Sequence, residues 1–113
     1  MMSFKKGESV IAAKVNHANN IFTRMKGLMF SESLGEFDGL LITPCNSIHT
    51  FFMKYPIDVV FLSKDYKVVK VRRNIKPWRM TGIYFGAFQV LEMNAGTLSP
   101  DINPGDQLEV TRV

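Results

Sequence analysis

Hydrophobic and polar positions alternate along the chain in short runs, a pattern typical of β-strands. Two runs rich in Val, Ile, Phe and Tyr, Ile57 to Leu62 and Tyr66 to Arg72, are separated by Ser63-Lys64-Asp65. This spacing predicts a β-hairpin. Thr50, Phe51 and Phe52 also favour a strand. Further strands are predicted at Ser9 to Val15, Gly39 to Thr43, Phe88 to Met93 and Gln107 to Thr111.

One segment has the spacing of a helix. Ile21, Met25 and Leu28 recur at helical intervals and Gly27 lies near the end, which predicts a short helix over Ile21 to Met29. A polar turn is expected just before it, at Asn16 to Asn20. No strand-helix-strand alternation is expected. The pattern therefore predicts a mostly β fold: one small antiparallel sandwich or barrel with one short helix.

Length and composition narrow the class of protein. The chain has 113 residues, of which 46% are hydrophobic, and we expect residues 1–113 to form a single domain with its own core. No apolar run approaches the roughly 20 residues of a membrane helix, and no signal-peptide core follows the first lysines. The only cysteine, Cys45, has no partner for an intramolecular disulfide. We expect a soluble cytoplasmic protein with no membrane among its partners.

The net charge of +4 is concentrated in one stripe. Six basic residues and no acidic residue lie between Lys67 and Arg79, and the rest of the chain has more acidic than basic residues. Such a stripe attracts an acidic ligand or a nucleic-acid backbone. A solvated strand face is the simpler interpretation, and since the chain has no RNA-binding signature, we do not expect nucleic acid as a partner.

Cys45, His49 and Met53 follow one another at intervals of four residues. A thiolate, an imidazole and a thioether form a soft ligand set that suits copper(I). On a strand, however, four residues span roughly 13 Å, so one metal would require a bend in the chain. The structural alternative is that Met53 and Cys45 are buried and His49 is hydrogen-bonded. We predict no metal and no cofactor and keep copper binding as an alternative.

A second alternative is an enzyme with Cys45 as nucleophile, His49 as base and Asp58 as the residue that orients the base. No nucleophile-elbow pattern surrounds Cys45 to support it. Asp58 stands in an apolar run, so its carboxylate must either face solvent or meet a cation. Arg24 and Lys54 are the candidate cations.

Trp78 and Arg79 follow Pro77 directly after the basic stripe, and Tyr84 and Phe85 lie close by in sequence. Aromatic and cationic groups together suit a small anionic ligand. The structural alternative is a loop whose tryptophan folds over the core. We therefore predict a binding or accessory module, with ligand contacts at Arg24, Met53, Lys54, Trp78 and Arg79. The predicted site is one cleft, bordered by Cys45, His49, Met53, Asp58 and the Trp78-Arg79 loop.

Several motifs in a fixed order resemble a known family. They are the segments Arg24 to Phe30, Cys45 to His49, Phe52-Met53-Lys54 leading into Ile57 to Leu62, Val90-Leu91-Glu92 with Ala95-Gly96, and Gly105-Asp106. Together, over roughly residues 9 to 112, they resemble the bacterial and archaeal family called domain of unknown function 192. The resemblance implies a compact jelly-roll β-sandwich and no established activity. Many members of that family look exported, with a leader before the domain.

Overall fold

The computed structural model describes residues 1–29 and 32–112, and it leaves out the side chains of Ile21, Phe22 and Met25. Phe30 of the predicted motif, and the side chains of Ile21 and Met25 in the predicted helix pattern, therefore lie outside the described residues. The secondary structure consists of β1 (Met2–Lys6), β2 (Ser9–Ala18), α1 (Ile21–Lys26), β3 (Gly39–Ile42), β4 (Ile57–Leu62), β5 (Val68–Ile75), β6 (Gln89–Asn94) and β7 (Glu109–Arg112).

The strands form one seven-stranded sheet in the order β5-β4-β6-β3-β2-β1-β7. The prediction of a mostly β fold with one short helix is confirmed. Several details were wrong. Strand β1 was not predicted, and β2 and β3 run parallel and are joined through α1, so the chain contains one strand-helix-strand unit. Asn16 and His17 belong to β2 and not to a turn, because they form the part of β2 that pairs with β3.

The two outermost strands are linked at one end. The Val68 N–H donates to the Asp106 carbonyl at 2.8 Å, and the Leu108 N–H donates to the Tyr66 carbonyl at 3.1 Å. These bonds join the start of β5 to the segment that leads into β7. The arrangement is compatible with the predicted sandwich or barrel. No helix in the described part of the chain is long and apolar enough to cross a membrane.

The central strands β3, β4 and β6 are buried on both faces, which explains their nearly continuous apolar sequences. Every residue of β3 and β4 is buried. Successive side chains alternate between two clusters, so that Leu41 packs into a first core with Val60, whereas Leu40 packs into a second core with Val59. A polar side chain in these strands is costly unless it finds a partner.

Helix α1 is shorter than predicted because of its caps. The Asn20 side chain accepts the Thr23 N–H at 2.9 Å, and the Thr23 hydroxyl lies 3.4 Å from the Asn20 N–H, which completes a capping box. Gly27 follows the last helical residue with a φ of 49°. Glycine adopts this left-handed conformation at little cost, so the helix ends at Lys26 and the chain turns toward β3.

The aromatic run around Thr50 is not a regular strand. Its only ladder contact among the described residues is a single bridge between His49 and Met80, and Phe52 has a left-handed φ of 64°. We call residues 44–53 the site loop and residues 76–86 the aromatic loop. The buried Thr50 joins them, because its hydroxyl donates to the Lys76 carbonyl at 2.6 Å and accepts the Arg79 N–H at 2.8 Å.

Asp58 is buried in β4 but meets neither solvent nor a cation, which corrects the prediction. Its carboxylate accepts backbone N–H groups from Asn74 at 2.9 Å, Gly96 at 2.9 Å and Leu98 at 3.2 Å. Arg24 and Lys54 make no ion pair with it. The carboxylate therefore fastens β5 and the turn after β6 to the centre of the sheet.

We expect Asp58→Ala to lower the free energy of unfolding by about 2–4 kcal/mol, because three buried N–H groups lose their acceptor. Urea unfolding followed by circular dichroism measures the change. Asp65→Ala, at an exposed position in the turn before β5, is the matched control and should change stability by less than about 0.5 kcal/mol. Equal losses in the two variants would contradict this role.

Candidate functional site

A cleft opens beside the second core, where α1, the site loop and β6 meet. Its volume is about 80 Å³, which is room for a few water molecules or a small anion. The apolar part of its wall comes from the end of β3 and from residues that flank it: Leu28, Ile42, Ile48 and Met53. The polar residues in the wall are Arg24, Lys26, Cys45, Ser47, His49 and Glu92.

Glu92 is the most deeply buried polar residue of the cleft. It lies on β6 opposite Leu40 on one neighbouring strand and Val59 on the other, so both of its cross-strand neighbours are apolar. No described residue makes a hydrogen bond or an ion pair with its carboxyl group. Burial raises the pKa of Glu92 to about 8, because the charged form loses its hydration. The group is therefore predominantly a neutral acid at pH 7.

Cys45 is a protonated thiol in this environment. Its Sγ donates to the Ser47 carbonyl at 3.0 Å. Burial is the largest influence and raises the thiol pKa above its ordinary value. The hydrogen bond with Ser47 lowers the pKa in part, and the smaller effects of Glu92, which raises it, and of Arg24, which lowers it, come after that. Because the thiolate is the nucleophile and the metal ligand, this environment disfavours both reactions.

His49 is also engaged within its own loop. Its Nδ1 accepts the Phe51 N–H at 3.2 Å, and its ring stacks on the Phe51 ring with centroids 5.0 Å apart. The proton of a neutral His49 ring therefore lies on Nε2. The basic lone pair of the ring accepts the Phe51 N–H and is not free to take a proton from Cys45. The enzyme alternative, in which His49 is the base for Cys45, therefore lacks its hydrogen bond. Asp58 orients neither group.

Arg24 brings a cation to the cleft, and none of the described carboxylates is its counterion. It is half-buried at the last turn of α1. Among residues 1–29 and 32–112, no carboxylate lies within 4 Å of its guanidinium group. Lys26 adds a second, exposed cation two residues later. The cleft therefore combines two positive charges with a carboxyl group that is mostly protonated at pH 7.

The structure brings together four of the predicted site residues: Arg24, Cys45, His49 and Met53. The other four line other parts of the molecule. Asp58 faces backbone amides, and Lys54 pairs with Glu32. Trp78 and Arg79 lie on the aromatic loop and do not line the cleft. They contact the site loop at Thr50 and at the rings of Phe51 and Phe52. The predicted single pocket shared by the thiol, imidazole and tryptophan is therefore corrected to a cleft and a separate surface.

Two polar residues of the cleft were not singled out in the sequence. Glu92 carried the same signal as Asp58, since it is an acidic residue inside a long apolar run, Phe88 to Met93. Lys26 carried no such signal, because one lysine at the end of a helix is ordinary. Among the described residues, no three His, Cys, Asp or Glu side chains cluster in a way that could hold a metal ion.

Comparison with known proteins identifies the family. A family model described as "Uncharacterized ACR", domain of unknown function 192, matches residues 2–110. The chain belongs to this family. The family resemblance stated from the motifs is confirmed, and the match begins earlier than the predicted residue 9, because it includes β1.

Relatives of known sequence carry the same uncharacterised status. A UPF0127 protein of Pyrococcus furiosus is 30% identical over 119 residues, which cover 100% of this chain and 99% of the relative. A UPF0127 protein of Thermococcus sibiricus is 32% identical over 103 residues. That alignment covers 87% of this chain but 66% of the relative. The domain of unknown function 192 family thus supplies no specific activity.

Two crystal structures have the same fold. A protein of unknown function from Novosphingobium aromaticivorans matches with a TM-score of 0.74 and 24% identity, covering 96% of this chain and 82% of the other. A protein from Sinorhizobium meliloti, described as a candidate transcription regulator, matches with a TM-score of 0.80 and 23% identity, covering 96% and 91%. At these identities the likeness concerns the fold alone.

We expect Glu92 to make stability depend on pH. Its pKa lies near 8 in the folded chain and near 4.5 when exposed, so its contribution is full below pH 4.5 and is lost as pH rises through 8. The free energy of unfolding should fall in this window by up to about 1.4 kcal/mol per pH unit. Urea unfolding at several pH values measures the slope.

Glu92→Gln should flatten that slope, since the amide does not titrate. Glu109→Gln, on an exposed position of β7, is the control and should keep the wild-type slope. A wild-type slope in Glu92→Gln would show that Glu92 ionises normally and would contradict the prediction.

We expect Cys45 to react slowly with iodoacetamide at pH 7 in the folded protein, at least roughly tenfold more slowly than in the unfolded chain. The reason is its partial burial and raised pKa. Mass spectrometry follows the reaction without ambiguity, because Cys45 is the only cysteine. Alkylation as fast as in guanidinium chloride would contradict a protonated thiol and would favour the nucleophilic alternative.

Proposed function

We propose that this protein is a cytoplasmic binding module whose cleft takes a small anionic ligand, with the anionic group beside Arg24. The observation that carries the proposal is the half-buried residue Arg24, whose guanidinium group has no carboxylate within 4 Å among the described residues. A guanidinium group offers paired donors that match a carboxylate or a phosphate. An anionic ligand would supply the missing counterion.

The rest of the wall supports the same class of ligand. Lys26 adds a second positive charge at the rim. Ile42, Ile48 and Met53 give the cleft an apolar side, against which a short hydrocarbon part of the ligand can pack. The volume of about 80 Å³ limits the enclosed portion to a few non-hydrogen atoms, so a carboxylate or phosphate head group fits and a nucleotide does not.

Glu92 favours an anion as long as it keeps its proton. A protonated carboxyl group donates a hydrogen bond, and its apolar surroundings leave that donor without a partner among the described residues. With its pKa near 8, Glu92 is mostly uncharged at pH 7 and does not repel an anion. Binding should therefore weaken as pH rises through 8.

We expect a panel of acetate, propionate, succinate and inorganic phosphate to contain at least one anion that raises the midpoint of thermal unfolding. For that anion, titration calorimetry should show that Arg24→Gln weakens binding by at least roughly tenfold, because a charge-assisted hydrogen bond is lost. Lys14→Gln removes the same charge at an exposed site on β2 and is the matched control.

The proposal fails if no anion of the panel shifts the unfolding midpoint. It also fails if Arg24→Gln binds the anion as tightly as Lys14→Gln, since nonspecific charge would then explain the binding. Arg24→Lys should fall between the two, because it keeps the charge and loses the paired donors.

A further inference from the structure

The aromatic loop exposes large apolar side chains that the proposed ligand cleft does not use. Among the described residues, large exposed apolar side chains outside the amino-terminal hairpin are Phe52, Trp78, Met80, Ile83 and Phe85. Phe85 is 90% exposed and Met80 is 69% exposed. Single exposed apolar side chains are ordinary, but a group of them on one segment marks an interaction surface.

These side chains are held in place by the fold. The aromatic loop runs beside the site loop, with the Thr81 N–H donating to the Ile48 carbonyl at 2.9 Å and the Tyr84 N–H donating to the Asn46 carbonyl at 3.0 Å. The Trp78 ring packs on the Phe52 ring with centroids 4.8 Å apart. The loop is therefore presented on a fixed support, and its apolar groups stay exposed.

The surface is also positively charged. No acidic residue occurs between Tyr66 and Leu91, and Lys76 and Arg79 lie within the aromatic loop. Arg72 on β5 reaches the same loop, since its guanidinium group donates to the Tyr84 hydroxyl at 3.2 Å. Neither Lys76 nor Arg79 forms an ion pair with a described carboxylate. A partner for this surface must be anionic as well as apolar.

We propose that the aromatic loop docks the protein on the surface of an anionic lipid bilayer, with Trp78, Met80, Ile83 and Phe85 entering the interface and Lys76 and Arg79 contacting lipid phosphates. Tryptophan and phenylalanine favour the interfacial region of bilayers. Basic residues next to them are attracted by the negative potential of the cytoplasmic leaflet. The contact needs no spanning helix, so it agrees with the fold, and it replaces the expectation from the sequence that no membrane is a partner.

The character of the side chains favours lipid over other anionic partners. Single-stranded nucleic acid is bound by stacking of bases on aromatic rings, whereas Met80 and Ile83 are aliphatic and suit acyl chains. A second copy of this chain would bring the same cations against each other. The Phe85 side chain is almost fully exposed, which suits insertion between lipid head groups.

Trp78 is the only tryptophan in the sequence, so its fluorescence reports on the loop directly. We expect a blue shift of the emission when vesicles of phosphatidylcholine with about one third phosphatidylglycerol are added. Sedimentation with these vesicles should be at least roughly tenfold stronger than with pure phosphatidylcholine vesicles. Raising the salt concentration should weaken it, because lipid charge is screened.

Variants test whether vesicle binding depends on the aromatic loop or on nonspecific adsorption of the protein. Phe85→Ser combined with Met80→Ser should lower vesicle binding by roughly tenfold, whereas Val10→Ser, at an exposed apolar position of the amino-terminal hairpin, should not. Lys76→Gln with Arg79→Gln should lower binding more than Lys5→Gln with Lys14→Gln, which removes equal charge elsewhere. Trp78 remains in every variant as the reporter, and circular dichroism verifies folding.

The proposal is overturned if anionic vesicles leave the Trp78 emission unchanged or if neutral vesicles bind as well. It is also overturned if the control variants lose as much binding as the loop variants. A larger emission shift with a single-stranded oligonucleotide than with vesicles would assign the surface to nucleic acid. An equal shift with inorganic phosphate alone would show that Trp78 responds to an ion and not to a bilayer.

Discussion

The central constraint of this fold is that its middle strands are covered on both faces, so a carboxyl group there must find donors or keep its proton. Asp58 and Glu92 show the two solutions on adjacent strands. Asp58 accepts three backbone N–H groups and serves the structure. Glu92 has no described partner and faces the cleft, where burial raises its pKa to about 8. A buried carboxyl group thus stabilises the sheet at Asp58 and forms part of a candidate site at Glu92.

Hydrogen bonds and ring contacts hold the site loop and the aromatic loop together, and the two loops extend from the cleft to the outer surface. Thr50 joins the two loops through its hydroxyl group, and His49 leads to Trp78 through the ring of Phe51. Because these contacts are short and the loops pair along their length, the position of the cleft wall and of the exposed tryptophan depend on each other. A ligand that displaces the His49 ring is therefore expected to displace Trp78 as well, through the ring of Phe51 that lies between them.

The sequence predicted the parts of the fold that follow from local pattern. Strand β4 lies where its apolar run predicted it, and α1 begins at Ile21 as predicted, because Asn20 and Thr23 form a cap that uses only neighbouring residues. The wrong predictions concern features that depend on contacts between residues far apart in the sequence. Strand β1 is defined by its pairing with β2 and β7, and the parallel contact of β2 with β3 depends on where α1 returns the chain. Likewise, the partners of Asp58 come from β5 and the turn after β6, so no local pattern reveals them.

The chemistry of the cleft is decided by hydrogen bonds that residue types alone do not specify. Cysteine and histidine four residues apart suggest a nucleophile with its base, or two ligands of a soft metal. Here the Cys45 proton points to the Ser47 carbonyl, and the His49 lone pair receives the Phe51 N–H, so both groups are satisfied within the loop. What remains available is the guanidinium group of Arg24, which pairs with no described carboxylate, in the same cleft as a mostly protonated Glu92. Since Glu92 is mostly uncharged at pH 7 and Arg24 is positive, the charges of the cleft favour the anion that we propose as its ligand.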